Sequence, residues 1–307
     1  MPAARISAAL VFISLTAVAA QTPVVRTGDP AKRGLAESVF PRIQKLADGV
    51  YSYEQLRSAG AERFTTVSLF VVTPDGVLVA DGQGNAAETK RMVDEIAKIT
   101  RQPVTHIVVA SDHGDHTAGN AAFPAGATYY IHPASKAAMD ASAPANAVLV
   151  TGKTALSLGG KEIQVLFLGR AHTGGDLSVY LPRERILFMS EAYLNRIFPA
   201  MRSAFPSEWV KTIDAATALP VDVYVPGHGF VESPAILKEE LATFRRALVQ
   251  VIAEGKRLHA AGVDVEAATK QAAFGDLEDW TLRQSQGAIA IRRVYLELDG
   301  KLPPPIK

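Results

Sequence analysis

The chain has 307 residues, 48% of them hydrophobic, with 32 basic against 31 acidic side chains and a formal net charge of +1. That length accommodates one large domain or two small ones, and the apolar fraction is ample for a buried core without long disorder. A near-neutral balance with no Lys/Arg block removes the electrostatic argument for nucleic acid or an anionic membrane as partner.

The chain opens with Arg5, an apolar stretch over 6–17, and the small residues Val18-Ala19-Ala20 before Gln21. This pattern predicts a cleaved secretory signal over 1–20, too short to span a bilayer, and hence a periplasmic or secreted mature protein. Cysteine is absent, which excludes disulfides and thiolate ligands and leaves only nitrogen and oxygen donors for any metal. Residues 21–45, with Pro23, Gly28, Pro30 and Pro41, read as an extended arm.

From Leu46 the pattern turns β-like. Residues 49–53 alternate, and 67–72 and 77–80 are buried runs around the turn Thr73-Pro74-Asp75-Gly76, ending at Asp81-Gly82. Residues 86–99 place Met92, Ile96 and Ile99 on one side of a helix. A strand over 106–110 leads into a His/Asp loop, followed by a short helix from Ala118, a strand over 128–131 and a helix from Ser135. Hairpin-like units over 148–168 and 177–189 follow, then a helix over 207–219, a strand over 221–225 and a long helix over 234–260. Two terminal helices over 263–273 and 280–298 precede Pro303-Pro304-Pro305. Sheet followed by helices occurs twice, which is met most simply by two sheets packed face to face with helices outside. The expected fold is therefore α+β, a four-layer α/β/β/α sandwich over 46–232 with a helical extension over 233–307 packed on it.

The chemistry concentrates in Ser111-Asp112-His113-Gly114-Asp115-His116, which follows the apolar run 106–110. Imidazole nitrogens and carboxylate oxygens are donors that Zn²⁺ and similar borderline cations take, and a turn after a strand can aim several at one point. Three further apolar runs end in loops of the same kind: Gly169-Arg170-Ala171-His172-Thr173-Gly174-Gly175-Asp176, Met189-Ser190-Glu191, and Pro226-Gly227-His228-Gly229. Gly and Pro keep such loops at the surface, so their His and acidic residues read as one site assembled from distant sequence.

In order and spacing, these motifs resemble the metallo-β-lactamase-fold hydrolase superfamily, whose signature is His-x-His-x-Asp-His after a strand, then a Gly-His-Thr-like loop, a strand-end Asp, and Gly-His. The resemblance covers residues 46–230 and includes 76–81, similar to that family's opening strand with its Asp, here Asp81. It implies that His113 and His172 belong to a first metal position and that Asp115, His116 and His228 belong to a second. Asp115 would also orient the nucleophile, and Asp81 would fix ligand geometry. Two residues depart from the pattern. Ser111 stands where the first His belongs, and Glu191 stands where the family usually has a bridging Asp. A serine hydroxyl is a poor ligand beside imidazole, so the first position is expected to be weakened and one tight zinc ion to be held, with a second bound weakly or not at all. Glu191 keeps the charge and reaches about 1.5 Å further, the length of one carbon–carbon bond, so it could bridge two metals or bind only the second.

Asp112 is a candidate oxygen donor beside the serine, and Arg170, Tyr193 and Asn195 are candidates for the substrate pocket. His106, His132 and His259 are assigned structural or exposed roles. The resemblance implies an exported zinc-dependent hydrolase acting on a small-molecule amide or ester, of the β-lactam or lactone type. Two competing readings remain: a weakened binding protein on the same fold, and a mononuclear iron dioxygenase with a 2-His-1-carboxylate set.

Overall fold

A computed structural model describes Met1 and residues 24–306; the signal read over 1–20 falls, beyond Met1, outside them. Strands β1 (Arg42–Ala47), β2 (Val50–Ala59), β3 (Glu62–Thr73) and β4 (Gly76–Ala80) form an antiparallel meander. Helix α1 (Ala86–Ile99) then reverses the chain, so that β5 (Val104–Val109) pairs parallel to β4. Asn85 starts this helix by accepting the Glu88 amide at 2.9 Å. The one-turn helix α2 (Gly114–Thr117) follows, then β6 (Thr128–Ile131), α3 (Pro133–Met139) and the two-residue strand β7 (Val148–Leu149), which completes a seven-stranded sheet in sequential order.

The second sheet has five strands: β8 (Lys153–Leu158), β9 (Lys161–Leu166), β10 (Ser178–Leu181), β11 (Ile186–Phe188) and β12 (Val223–Val225). Helix α4 (Pro206–Thr217) connects β11 to its parallel neighbour β12. Helices α5 (Pro234–Ala260), α6 (Val265–Gln271) and α7 (Arg283–Leu298) finish the chain. Among the described residues no helix is long and apolar enough to cross a membrane.

Strand alternation explains the layering. In β4, Leu78 and Ala80 enter the large core between the sheets, while Val77 and Val79 face the other way and meet Met92 and Ile96 of α1. Each fully buried Leu, Val, Ile or Met among these contributes about 1.5–3 kcal/mol. The large core runs unbroken from Val50 through Trp209 and Phe244 to Ile291 and Val294, so the helices after Pro234 share it. The architecture is the expected two-sheet α+β sandwich.

Local differences from the sequence reading have physical reasons. The first strand begins at Arg42, within the stretch read as an arm. Strands β2 and β3 run 10 and 12 residues rather than as short runs, because Ser52, Glu54, Thr65, Thr66 and Ser68 are buried in them and mask the apolar alternation. Ile99, expected beside Met92 and Ile96, is exposed at the helix end. The helix expected from Ala118 starts at Gly114, inside the His/Asp loop. The unit over 148–168 is not one hairpin: β7 completes the first sheet and β8–β9 open the second.

Backbone bonds stitch the sheets together at one edge. The Val67 amide donates to Gly227 O at 2.7 Å, and the Leu177 amide donates to Ala110 O at 2.9 Å. That edge carries the site.

Candidate metal centre

Six side chains on strand-end loops converge. Asp115, His116, Glu191 and His228 present donor atoms within 4.8 Å of one another, as do His113, His172 and Glu191. In the first set, His116 Nε2 and His228 Nε2 are 3.4 Å apart, and Asp115 Oδ2 lies 3.3 Å from His228 Nε2 and 3.9 Å from His116 Nε2. In the second, His172 Nε2 and His113 Nδ1 are 3.1 Å apart. Glu191 belongs to both: Oε1 is 3.1 Å from His228 Nε2 and 3.2 Å from His172 Nε2, and Oε2 is 3.0 Å from His113 Nδ1. Donors held about 2.0–2.1 Å from a tetrahedral ion stand roughly 3.3 Å from each other. The donor chemistry and these separations both fit divalent metal.

Second partners orient the rings. His228 Nδ1 donates to Thr65 O at 2.8 Å, which leaves the Nε2 lone pair for a metal. Asp81 Oδ2 stands 3.1 Å from His116 Nδ1, and Asp81 Oδ1 accepts the Ala110 and Ser111 amides at 2.7 and 3.2 Å. The ring of His172 meets the edge of Trp209 at 5.1 Å. Thr173 and Asp176 lock that loop: the carboxylate accepts from the Thr173 amide at 2.6 Å and from its hydroxyl at 2.9 Å. Glycine is required beside His228, since a Cβ on Gly227 would lie 2.3 Å from the Ser190 carbonyl carbon, and Gly229 has φ +83°.

Without metal, the cluster is a network of mutually stabilised charges. The Glu191 carboxylate pushes His113 up to about 10. Burial disfavours charge on His116, yet Asp115 and Asp81 outweigh it and push that ring up to about 9. Burial opposes ionisation of Asp115 and Glu191, and the imidazoles around each overcome it and hold both below the usual carboxylate range. His172 is lowered by burial.

Above these groups lies a cavity of about 450 Å³, within the range of small-molecule sites. Phe64, Leu194, Ile197 and Leu282 supply apolar wall, and Arg57 and Arg202 supply cationic groups. Arg57 pairs with Glu88 at 2.8 Å, whereas Arg202 is exposed.

Other sequence candidates fall elsewhere. The Asp112 side chain faces Ser135 and Thr173 and takes no place in either donor set, and burial pushes its carboxyl up. Arg170 is turned from the cavity: it pairs with Glu208, lies 3.8 Å over the Phe205 ring, and donates to Pro303 O at 2.8 Å. Tyr193 is core, its hydroxyl donating to Leu237 O at 3.1 Å. Asn195 acts from beneath, donating through Nδ2 to Phe230 O at 2.7 Å and through its amide to His228 O at 2.9 Å. His106, His132 and His259 sit outside the cluster, beside Thr105, capping α3, and paired with Asp299. Missed from the sequence were Phe64, Thr65, Thr66, Arg57 and Arg202. The adjacent threonines in an apolar run were the one available signal, and Thr66 Oγ1 lies 3.4 Å from Asp115 Oδ2.

A buried polar group braces the His228 loop from the β1–β2 side. Gln44 Nε2 donates to Val231 O at 2.9 Å and to Glu54 at 2.7 Å, and Arg42 reaches the same carboxylate at 3.4 Å. Burial pushes Glu54 up to about 7.

The sequence model of the metallo-beta-lactamase superfamily matches residues 61–228. The chain belongs to that superfamily. It is 24% identical over 202 residues to the 2,4-dinitroanisole O-demethylase subunit alpha of Nocardioides sp. (strain JS1661), spanning 62% of this chain and 56% of that protein. It is 25% identical over 171 residues to metallo-beta-lactamase type 2 of Elizabethkingia meningoseptica, spanning 50% of this chain and 69% of that one. Among solved structures, a metallo-beta-lactamase from Pontibacter korlensis superposes with a TM-score of 0.59 at 22% identity, covering 66% of this chain and 97% of its own. That likeness establishes the fold; chemistry rests on the site.

Proposed function

We propose that this protein is an exported metal-dependent hydrolase that opens an amide or ester of the β-lactam or lactone type. The observation that carries the reading is the pair of donor sets sharing Glu191 against the 450 Å³ cavity. Asp115, His116 and His228 would hold one ion in the second position, and His113 and His172 would belong to the first. A divalent ion there, zinc by donor type, supplies Lewis acidity and lowers the pKa of a water to about 7.

The chain's own groups do the rest. Asp115, kept ionised by His116 and His228 against its burial, can accept a hydrogen bond from the attacking water and orient it. Asp81 and Thr65 fix His116 and His228. Phe64, Leu194 and Ile197 exclude bulk water from the apolar part of a substrate, and Arg202 offers a counter-charge to an acidic substituent. The N-terminal pattern supports placing this reaction outside the cytoplasm.

The test is a panel of β-lactam, lactone, thioester, phosphodiester and aryl methyl ether substrates, the last suggested by the demethylase relative. Protein stripped of metal and reloaded with zinc, manganese or iron is assayed in parallel with oxygen-uptake measurement. The expected result is metal-dependent cleavage of a ring amide or ester, reduced at least about 100-fold in Asp115→Asn. Oxygen consumption by the iron form, or loaded protein inert across the panel, would overturn the proposal.

A further inference from the structure

We propose that Ser111 and Glu191 form a compensating pair: Glu191 supplies, through its second carboxylate oxygen, the donor that a serine at 111 removes from the first metal position, and Ser111 aims it. The inference rests on the reading of the cluster as a metal centre. It concerns which of this chain's atoms complete the first position.

The two carboxylate oxygens of Glu191 have different surroundings. Oε1 lies between the sets, 3.1 Å from His228 Nε2 and 3.2 Å from His172 Nε2. Oε2 faces only the first position, 3.0 Å from His113 Nδ1, and accepts the hydrogen bond of the Ser111 hydroxyl. Ser111 is fully buried and spends both its functions locally, its proton on Glu191 and a lone pair on the His113 amide at 3.3 Å. One hydroxyl thus ties the ligand loop after β5 to the carboxylate after β11.

Size makes the two departures interdependent. A glutamate is longer than an aspartate by about 1.5 Å, and here that length brings Oε2 to hydrogen-bonding distance of the residue-111 side chain. An imidazole at 111 would overlap the space this carboxylate fills, and overpacking in a buried site is itself destabilising. The backbone of Glu191 cannot easily retreat, because the Gly227 amide holds Ser190 O at 2.8 Å and Ser190 has φ +46°. Asp112, the other oxygen near the serine, points to Ser135 and Thr173. The first position is therefore completed by His113, His172 and both oxygens of Glu191, with Oε1 as the shared donor and Oε2 in the place of the imidazole that Ser111 replaces.

The experiment is a Zn²⁺ titration of metal-stripped protein by calorimetry, with Co²⁺ absorption spectra as a second readout and circular dichroism to verify folding. Wild type is expected to bind two ions. Ser111→Ala should weaken only the looser ion, by about 10- to 100-fold as for other groups that orient a ligand. Glu191→Asp should bind one ion. Ser111→His alone should not tighten the looser ion, whereas Ser111→His combined with Glu191→Asp should restore two. Wild-type binding of a single ion, a Ser111→Ala titration like that of wild type, or a double variant no better than Glu191→Asp would each overturn the pairing. No substrate is used, so failure to hydrolyse leaves the pairing intact, while failure to bind any ion sinks the hydrolase reading as well.

Discussion

The Ser190 hydroxyl donates to Oδ2 of Asp81, and both residues hold left-handed backbone, at φ +46° and +64°. Such conformations cost about 1–3 kcal/mol each for non-glycine residues and persist where surrounding bonds over-determine them. Here the two turns end β11 and β4, so the bond latches one sheet to the other directly behind His116 and Glu191.

Removing this latch should loosen both sheets at the site. Ser190→Ala leaves a buried carboxylate short of a donor and is expected to destabilise the metal-free protein by about 1.5–3 kcal/mol. Urea denaturation in the presence of chelator measures it. A change under about 0.5 kcal/mol would mean that the Asp81 amide contacts suffice without Ser190.

Tyr193 and Arg202 separate core from pocket. Tyr193→Phe removes the hydrogen bond to Leu237 O and should cost about 0.5–1.5 kcal/mol of stability with kcat and KM unchanged. An altered KM in this variant would return Tyr193 to the substrate site.

Arg202→Ala should do the reverse, leaving the melting temperature in place. For substrates with a carboxylate its KM should rise about tenfold, the equivalent of about 1.4 kcal/mol, with little change for matched neutral esters. Equal effects on both classes would show that the guanidinium does not meet an acidic group.

Stability should fall with rising pH through two buried carboxyls, Glu54 and Asp176, each pushed up to about 7 by burial. Glu54, fully buried, is pushed up by burial to about 7 from an unfolded value of 4.5. Between those values the folded state keeps a proton that the unfolded state has released, so unfolding becomes easier as pH increases. The stability present below pH 4.5 is lost through pH 7, and at about 1.4 kcal/mol per unit the upper bound is about 3.5 kcal/mol. Glu54→Gln should lessen the dependence of Tm on pH between 5 and 8, with Asp176 retaining its own share. An unchanged slope would assign it to other groups.

Protein recovered from the periplasm or medium should begin near Gln21, as N-terminal sequencing would show. Membrane-bound chain of full length would instead identify an anchor.

The sandwich and the convergence of His113, Asp115, His116, His172, Glu191 and His228 were legible because each sits at the tip of an apolar run, broken by Gly or Pro in every case but Glu191, a pattern that strand periodicity makes visible. Asp81 was legible only through the resemblance of residues 76–81 to the superfamily's opening strand. What could not be read was side-chain direction in irregular backbone. Arg170 is two residues from His172 yet turns to Glu208 and Phe205, and Asp112 adjoins Ser111 yet turns to Ser135. Nothing in their neighbours along the chain encodes that choice, which tertiary packing makes. The partnership of Ser111 with Glu191 was hidden for another reason: each looked like a defect when considered singly, and only distance joins them.

Neither sheet owns a complete ligand set. His113, Asp115 and His116 follow β5 of the first sheet, while His172, Glu191 and His228 follow β9, β11 and β12 of the second, and each donor set draws on both. A polypeptide threaded unfolded across a membrane would therefore arrive without cargo. Its ions would have to be captured after the halves dock, from whatever the destination compartment supplies, so the metal in the mature protein would record where it folded as well as what its donors prefer.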